Sequence, residues 1–213
     1  MKKLLISALM ILGLTGCAGF VQISSTNFHG PDHTNRGSIV VLPIDKTQEG
    51  SLEFRAVSEY LMTKLTQKGY TAAQVNQKSM YAAVITYGID NGTTIVSSVP
   101  IYGQTGGGTS YTTGSVSSYG RTANFSGTTI TMPTYGMVGA MPVSSTEYKR
   151  MVNIDIWRND ATPIKVYEMR GLSSGSCGNI NAILSNIIDG MFENFPGENG
   201  KVKRVNVDWT GKC

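Results

Sequence analysis

The sequence predicts an α+β domain: a mainly antiparallel sheet with two amphipathic helices on one face and a long Gly/Ser/Thr-rich β-hairpin arm. Three patterns carry that prediction. Tyr148, Arg150, Val152, Ile154 and Ile156 alternate with Lys149, Met151, Asn153, Asp155 and Trp157, the period of two of a half-buried strand. Phe54, Val57, Leu61 and Leu65, and later a run of apolar residues from Ile180 to Phe195, recur at the three- and four-residue spacing of a helix face. Between Asn91 and Thr146 lie 56 residues with a single charge, Arg121, and 31 of them are Gly, Ser or Thr.

Taken in order, the chain opens on Met1-Lys2-Lys3, followed by an apolar run of eleven from Leu4 to Leu14. A membrane span needs about 20 such residues, so this run reads as the core of an export signal instead. Leu14-Thr15-Gly16-Cys17 resembles the bacterial lipobox. That resemblance implies cleavage after residue 16 and acyl chains on Cys17, which hold the protein on a membrane. Ala18 follows where Gram-negative lipoproteins retained at the inner membrane resemble one another in having Asp, and the analogy implies the outer membrane, facing the periplasm. Residues 17–37 read as a polar tether, and 38–213 as one domain with the arm at 91–146.

Ser38 to Ile44 is a β-branched run and the first expected strand. The helix through Phe54 to Leu65 should stop at Lys68-Gly69. Met80 to Gly88 reads as the second strand. Within the uncharged middle, Thr93 to Tyr102 and Thr128 to Val138 have strand content, and the glycine-rich part between them, near 104–127, reads as a mobile tip. Arg158-Asn159-Asp160 turns the next hairpin, with Ile164 to Arg170 returning. Asn179 is placed to cap the last helix and Pro196-Gly197 to stop it. Val202, Val205, Val207 and Trp209 form an extended tail.

The lipobox, the helix ending at Lys68-Gly69-Tyr70, the strand Ala82-Ala83-Val84-Ile85-Thr86-Tyr87, the segment Val152-Asn153-Ile154-Asp155-Ile156-Trp157 and a last helix closing on Phe195-Pro196 together resemble the bacterial lipoproteins of domain of unknown function 4136. The resemblance covers roughly residues 38–196. It implies a fold and an envelope address and no activity.

Candidate chemistry is sparse. The chain of 213 residues carries 18 basic and 14 acidic side chains, and without Lys2 and Lys3 of the leader the basic excess falls to two, which excludes an electrostatic case for nucleic acid. Gly171-Leu172-Ser173-Ser174-Gly175 matches a nucleophile elbow, but no histidine follows Ser173 to serve as base, and a small-residue turn before the last helix explains it better. Gly103 to Ser110 has the glycine density of a phosphate loop without its Lys and Ser/Thr pair. His29 and His33 flank Asp32, yet Gly30-Pro31 argues against the helix that would set two metal ligands on one face. Asp155, Asp160 and Glu168 surround one hairpin, and the alternation does not place all three on one face. Asn91-Gly92-Thr93 and Asn124-Phe125-Ser126 match a glycosylation acceptor that an exported bacterial protein gives no reason to use. The expectation is therefore no catalytic residue, no metal and no cofactor.

With Cys17 lipidated, Cys177 and Cys213 are the remaining thiols of an exported chain, and a disulfide between them is expected. The leading functional expectation is a non-enzymatic structural or binding role, with a protein partner or a homo-oligomer engaged through 91–146. An envelope hydrolase, or a glycan-binding module using Trp157 and Trp209, is the alternative.

Overall fold

The computed structural model describes residues 19–73, 78–193 and 195–213. The leader and Cys17 lie outside the described residues. Two compact units emerge: a body made of residues 19–93 and 146–213, and the segment Thr94–Ser145.

The strands are β1 (Gly19–His29), β2 (Ser38–Pro43), β3 (Thr71–Ala72), β4 (Tyr81–Ile89), β5 (Thr93–Ser118), β6 (Arg121–Arg158), β7 (Ile164–Gly175) and β8 (Val202–Trp209); the helices are α1 (Leu52–Gln67) and α2 (Leu184–Phe192). They form one sheet in the order β3-β2-β4-β6-β7-β1-β8, with β5 pairing β6. β2 runs parallel to β3 and β4 because α1 carries the chain across between them; the remaining body pairs are antiparallel.

This corrects the α+β expectation. With 59% of the described residues in strands and a single mixed sheet of eight strands, the fold is β-rich. Two segments account for the change. Residues 19–29, expected as tether, are β1, paired along both edges with β7 and β8. The expected mobile tip is regular strand up to Ser118 and again from Arg121. In both, a partner strand takes up backbone hydrogen-bonding groups along at least one edge, which local composition does not reveal. The tail, expected as extended, is the strand β8, held by eight residue pairs from Gly19↔Trp209 to Thr26↔Val202.

One face of the body sheet is covered. Ile39, Ala83, Ile154, Ile156, Met169 and Ile23 point to it and are fully buried, together with Leu61 and Leu65 of α1 and Ile187 and Met191 of α2. Ser51 caps α1 by accepting from the Phe54 N–H at 3.4 Å, and Gly69, with φ of +93°, ends it. The last helix is shorter than its periodicity: Ile180–Ala182 is a 3-10 turn, with Asn179 accepting from the Asn181 N–H at 3.1 Å, and α2 begins only at Leu184. Gly171 of β7 has no side chain because a Cβ there would meet Met191 Sδ at 2.5 Å, so α2 rests directly on the sheet.

The segment Thr94–Ser145 is a two-stranded ribbon of β5 and β6. Ser97 Oγ donates to the Val143 carbonyl at 3.4 Å, Thr105 Oγ1 to the Thr134 carbonyl at 3.2 Å, and Ser117 and Thr122 hydroxyls pair at 3.1 Å. Tyr119 and Gly120, with φ of 49° and 79°, make the two-residue turn whose twist suits a hairpin.

Candidate functional site

The ribbon is the feature with the least local explanation. None of residues 94–145 is buried. Successive residues of a strand point to opposite faces. Ile95 and Val96, Ile101 and Tyr102, and Met137 and Val138 therefore put large apolar side chains on both faces, each 44–73% exposed. Arg121, beside the turn, is the single charge. A two-stranded hairpin is marginal in water even with one face covered. The ribbon thus has the chemistry of an interface without, within itself, anything that covers it.

The body holds its ionisable groups in pairs. Asp155 and Glu168 stand directly opposite each other across β6 and β7 on the uncovered face. Lys165 Nζ reaches Asp155 at 2.8 Å, Arg170 Nη1 reaches its other oxygen at 2.7 Å, and both bases also contact Glu168. Hydrogen bonding to Asp155 raises the Lys165 ammonium above its ordinary range. Two carboxylates shared between two cations form a neutral network, not the unequal pair that acid–base catalysis needs. Asp160 is elsewhere: Arg158 holds it at 2.8 Å and Asp32 at 2.7 Å.

Between the helices lies a groove of about 480 Å³, lined by Ala56, Val57, Leu184 and Ile188, with Glu53 and Tyr60 at its rim. Tyr60 donates to Asp189 at 2.6 Å and Lys64 reaches the same oxygen at 2.7 Å. Tyr87 donates to Glu53 at 3.1 Å, and burial followed by that carboxylate pushes its phenol up to about 12. A second cleft, about 530 Å³, opens on the uncovered face beside Val40, Leu42, Val84 and Trp157. Lys165 Nζ sits 5.1 Å from the Trp157 ring centre. Trp209, by contrast, buries its Nε1.

The remaining sequence candidates separate. Ser173 is not in a turn but inside β7, buried, opposite Arg150 on β6 and Ile23 on β1. His29 pairs with Tyr167, six residues along β1 from Ile23, so roughly 20 Å separates that imidazole from Ser173. Gly103 to Ser110 is part of β5, not a loop, and Gly107 lies close over the Met132 carbonyl. His29 and His33 stack with ring centres 3.7 Å apart, and His33 Nδ1 lies 2.8 Å from the Gly30 carbonyl. Among the described residues no three His, Cys, Asp or Glu side chains gather for a metal. The Cys177 and Cys213 sulfurs are 2.15 Å apart with Cα atoms 5.4 Å apart.

Sequence reasoning passed over Arg150. Its place in the alternation marks it as inward-facing, and it is buried with Nε lacking a partner among the described residues. Burial pulls its guanidinium below the usual range, with Glu147 opposing. A cation at an inward position of an otherwise apolar strand was the available signal.

No family model and no curated protein matches the chain. Among solved structures it is similar to a PDZ domain protein from Parabacteroides distasonis, at 13% identity and a TM-score of 0.48, over 97% of this chain. The chain spans 43% of the length of that protein.

Proposed function

We propose that the protein is an outer-membrane lipoprotein, anchored through Cys17 and facing the periplasm, with a non-enzymatic binding role exercised through the arm at residues 91–146. The observation that carries the binding role is the ribbon, apolar on both faces and nearly free of charge. Exposed apolar surface of this extent marks an interaction site, and a strand pair without charged gatekeepers is open to pairing at its edges. The anchor rests on Leu14-Thr15-Gly16-Cys17, and the outer-membrane address on Ala18.

Crosslinking in intact cells tests both parts. Wild-type protein should yield crosslinked products that vanish when residues 94–145 are replaced by a Gly-Gly link. The root makes that deletion feasible, since a Cβ on Gly92 would touch Thr146, so the two ends are adjacent. Labelled fatty acid should enter the wild type and not Cys17→Ser. Crosslinks that survive arm deletion overturn the binding role; unlabelled wild-type protein in the soluble fraction overturns the anchor.

A further inference from the structure

We propose that the arm's partner is the arm of a second copy of this chain, joined strand edge to strand edge. The inference rests on the reading of residues 91–146 as a binding element and names what that element binds.

The amount of surface sets the scale. Sixteen large apolar side chains of residues 94–145 are exposed. At roughly 100 Å² apiece, half of what a large side chain can bury, they present on the order of 1,600 Å². The largest apolar patch of an ordinary monomer is about 300–600 Å², and a stable interface takes about 800 Å² from each partner. The surface lies on both faces and along both strands, so a small ligand or a single docking peptide covers only a fraction of it. An extended β assembly covers all of it.

The edges point to the same occupant. Among the described residues, β5 pairs only with β6, and β6 meets β7 only from Tyr148 onward. Each arm therefore offers one open edge from β5 and one from β6. No Lys, Asp or Glu lies on either to repel an identical strand. Pro100 on β5 and Pro133 and Pro142 on β6 donate no hydrogen bond, which confines pairing to the stretches between them and limits the register.

Geometry within the body favours copies over strangers. Ile89, Arg150, Ser173, Ile23 and Val205 form one row across the sheet. Beyond that row β1 begins at Gly19, and Thr93 and Thr146 mark where the chain leaves for the arm. Cys17 is two residues before Gly19. An anchored Cys17 would confine all copies to one membrane surface, which raises the effective concentration of arm for arm. Joining the β5 edge of one copy to the β6 edge of the next is head-to-tail, so the assembly closes as a ring or continues as a filament.

The test uses the full lipidated chain extracted in detergent. Light scattering should give a protein mass of more than one chain, and replacing Thr94–Ser145 by Gly-Gly should reduce it to one. Tyr102→Lys with Met137→Lys should weaken association at least about tenfold, while Tyr102→Phe with Met137→Leu should retain it. Thermal unfolding of the body, unchanged in both pairs, separates lost association from lost folding. Hydrogen exchange should find amides on the outer edges of β5 and β6 protected in the assembled wild type and not after dilution to single chains. A wild type that stays a single chain, yet crosslinks another envelope protein through its arm, overturns this inference and leaves the binding role standing. A single chain with no arm-dependent crosslink overturns both, and an oligomer that survives arm deletion overturns this one.

Discussion

Gly171 shows how one missing side chain positions a helix. A Cβ there would come within 2.5 Å of Met191 Sδ and 3.2 Å of Ile187 Cγ2. Gly171→Ala should therefore cost about 1–3 kcal/mol through overpacking, read by urea unfolding. Met191→Ala in the same chain should recover part of that cost, since the two sites share one space; strict additivity would show that the contact is not the cause. Tyr87 offers a second residue-level test. Its phenol, pushed up to about 12 by burial and Glu53, should stay protonated through the ordinary tyrosine range near 10. The sign follows: a folded value above the unfolded one stabilises the fold fully below pH ~10, and that contribution is lost as the pH rises from about 10 to about 12. Ultraviolet titration of the wild type against Tyr87→Phe isolates it. A titration unchanged in the variant would contradict the assignment. At the same scale, Val152, Ile154 and Ile156 were readable as core from alternation alone, whereas Ser25 and Asn27 were not. They occupy the inward positions of β1 after Val21 and Ile23, and two polar residues among four hide the pattern.

Among the elements, β8 depends most on what lies beyond its end. It is an edge strand paired to β1 alone among the described residues, with one buried side chain, Val205. A terminal strand so placed frays unless held. The Cys177 and Cys213 sulfurs are at bonding distance with 36 residues between them in sequence. Closing a loop of that size contributes about 3–4 kcal/mol in the chain-entropy model. Cys177→Ser with Cys213→Ser should lower stability by that order and selectively speed exchange of β8 amides. Mass spectrometry of the non-reduced protein should find the 177–213 linked peptide, and free alkylatable thiols at both positions would refute the bond. The arm is the opposite case. Its strands were legible at the two ends, where Ile, Val and Thr cluster, and illegible near 104–127, where glycine and serine mimic a linker. What makes that middle a strand is the partner strand opposite it, reached through the Tyr119-Gly120 turn.

For the molecule as a whole, local pattern settled a good deal. Periodicity located α1 and the inward face of β6 because side-chain spacing of 3.6 or 2 residues is a property of the segment itself. Absence of charge marked the arm as unusual, and the cysteine count singled out Cys177 and Cys213. Fold class went the other way. Whether Gly19–His29 is a tether or a strand depends on β7 and β8, which lie over a hundred residues away, and no local signal names a partner at that distance. The order β3-β2-β4-β6-β7-β1-β8 inserts the first strand between two late ones, so the sheet closes only when both ends of the body meet. The pairing of Asp155 and Glu168 with Lys165 and Arg170 follows from the same register. Tertiary structure decided these points because strand pairing satisfies backbone groups between segments, and sequence periodicity reports only what happens within one.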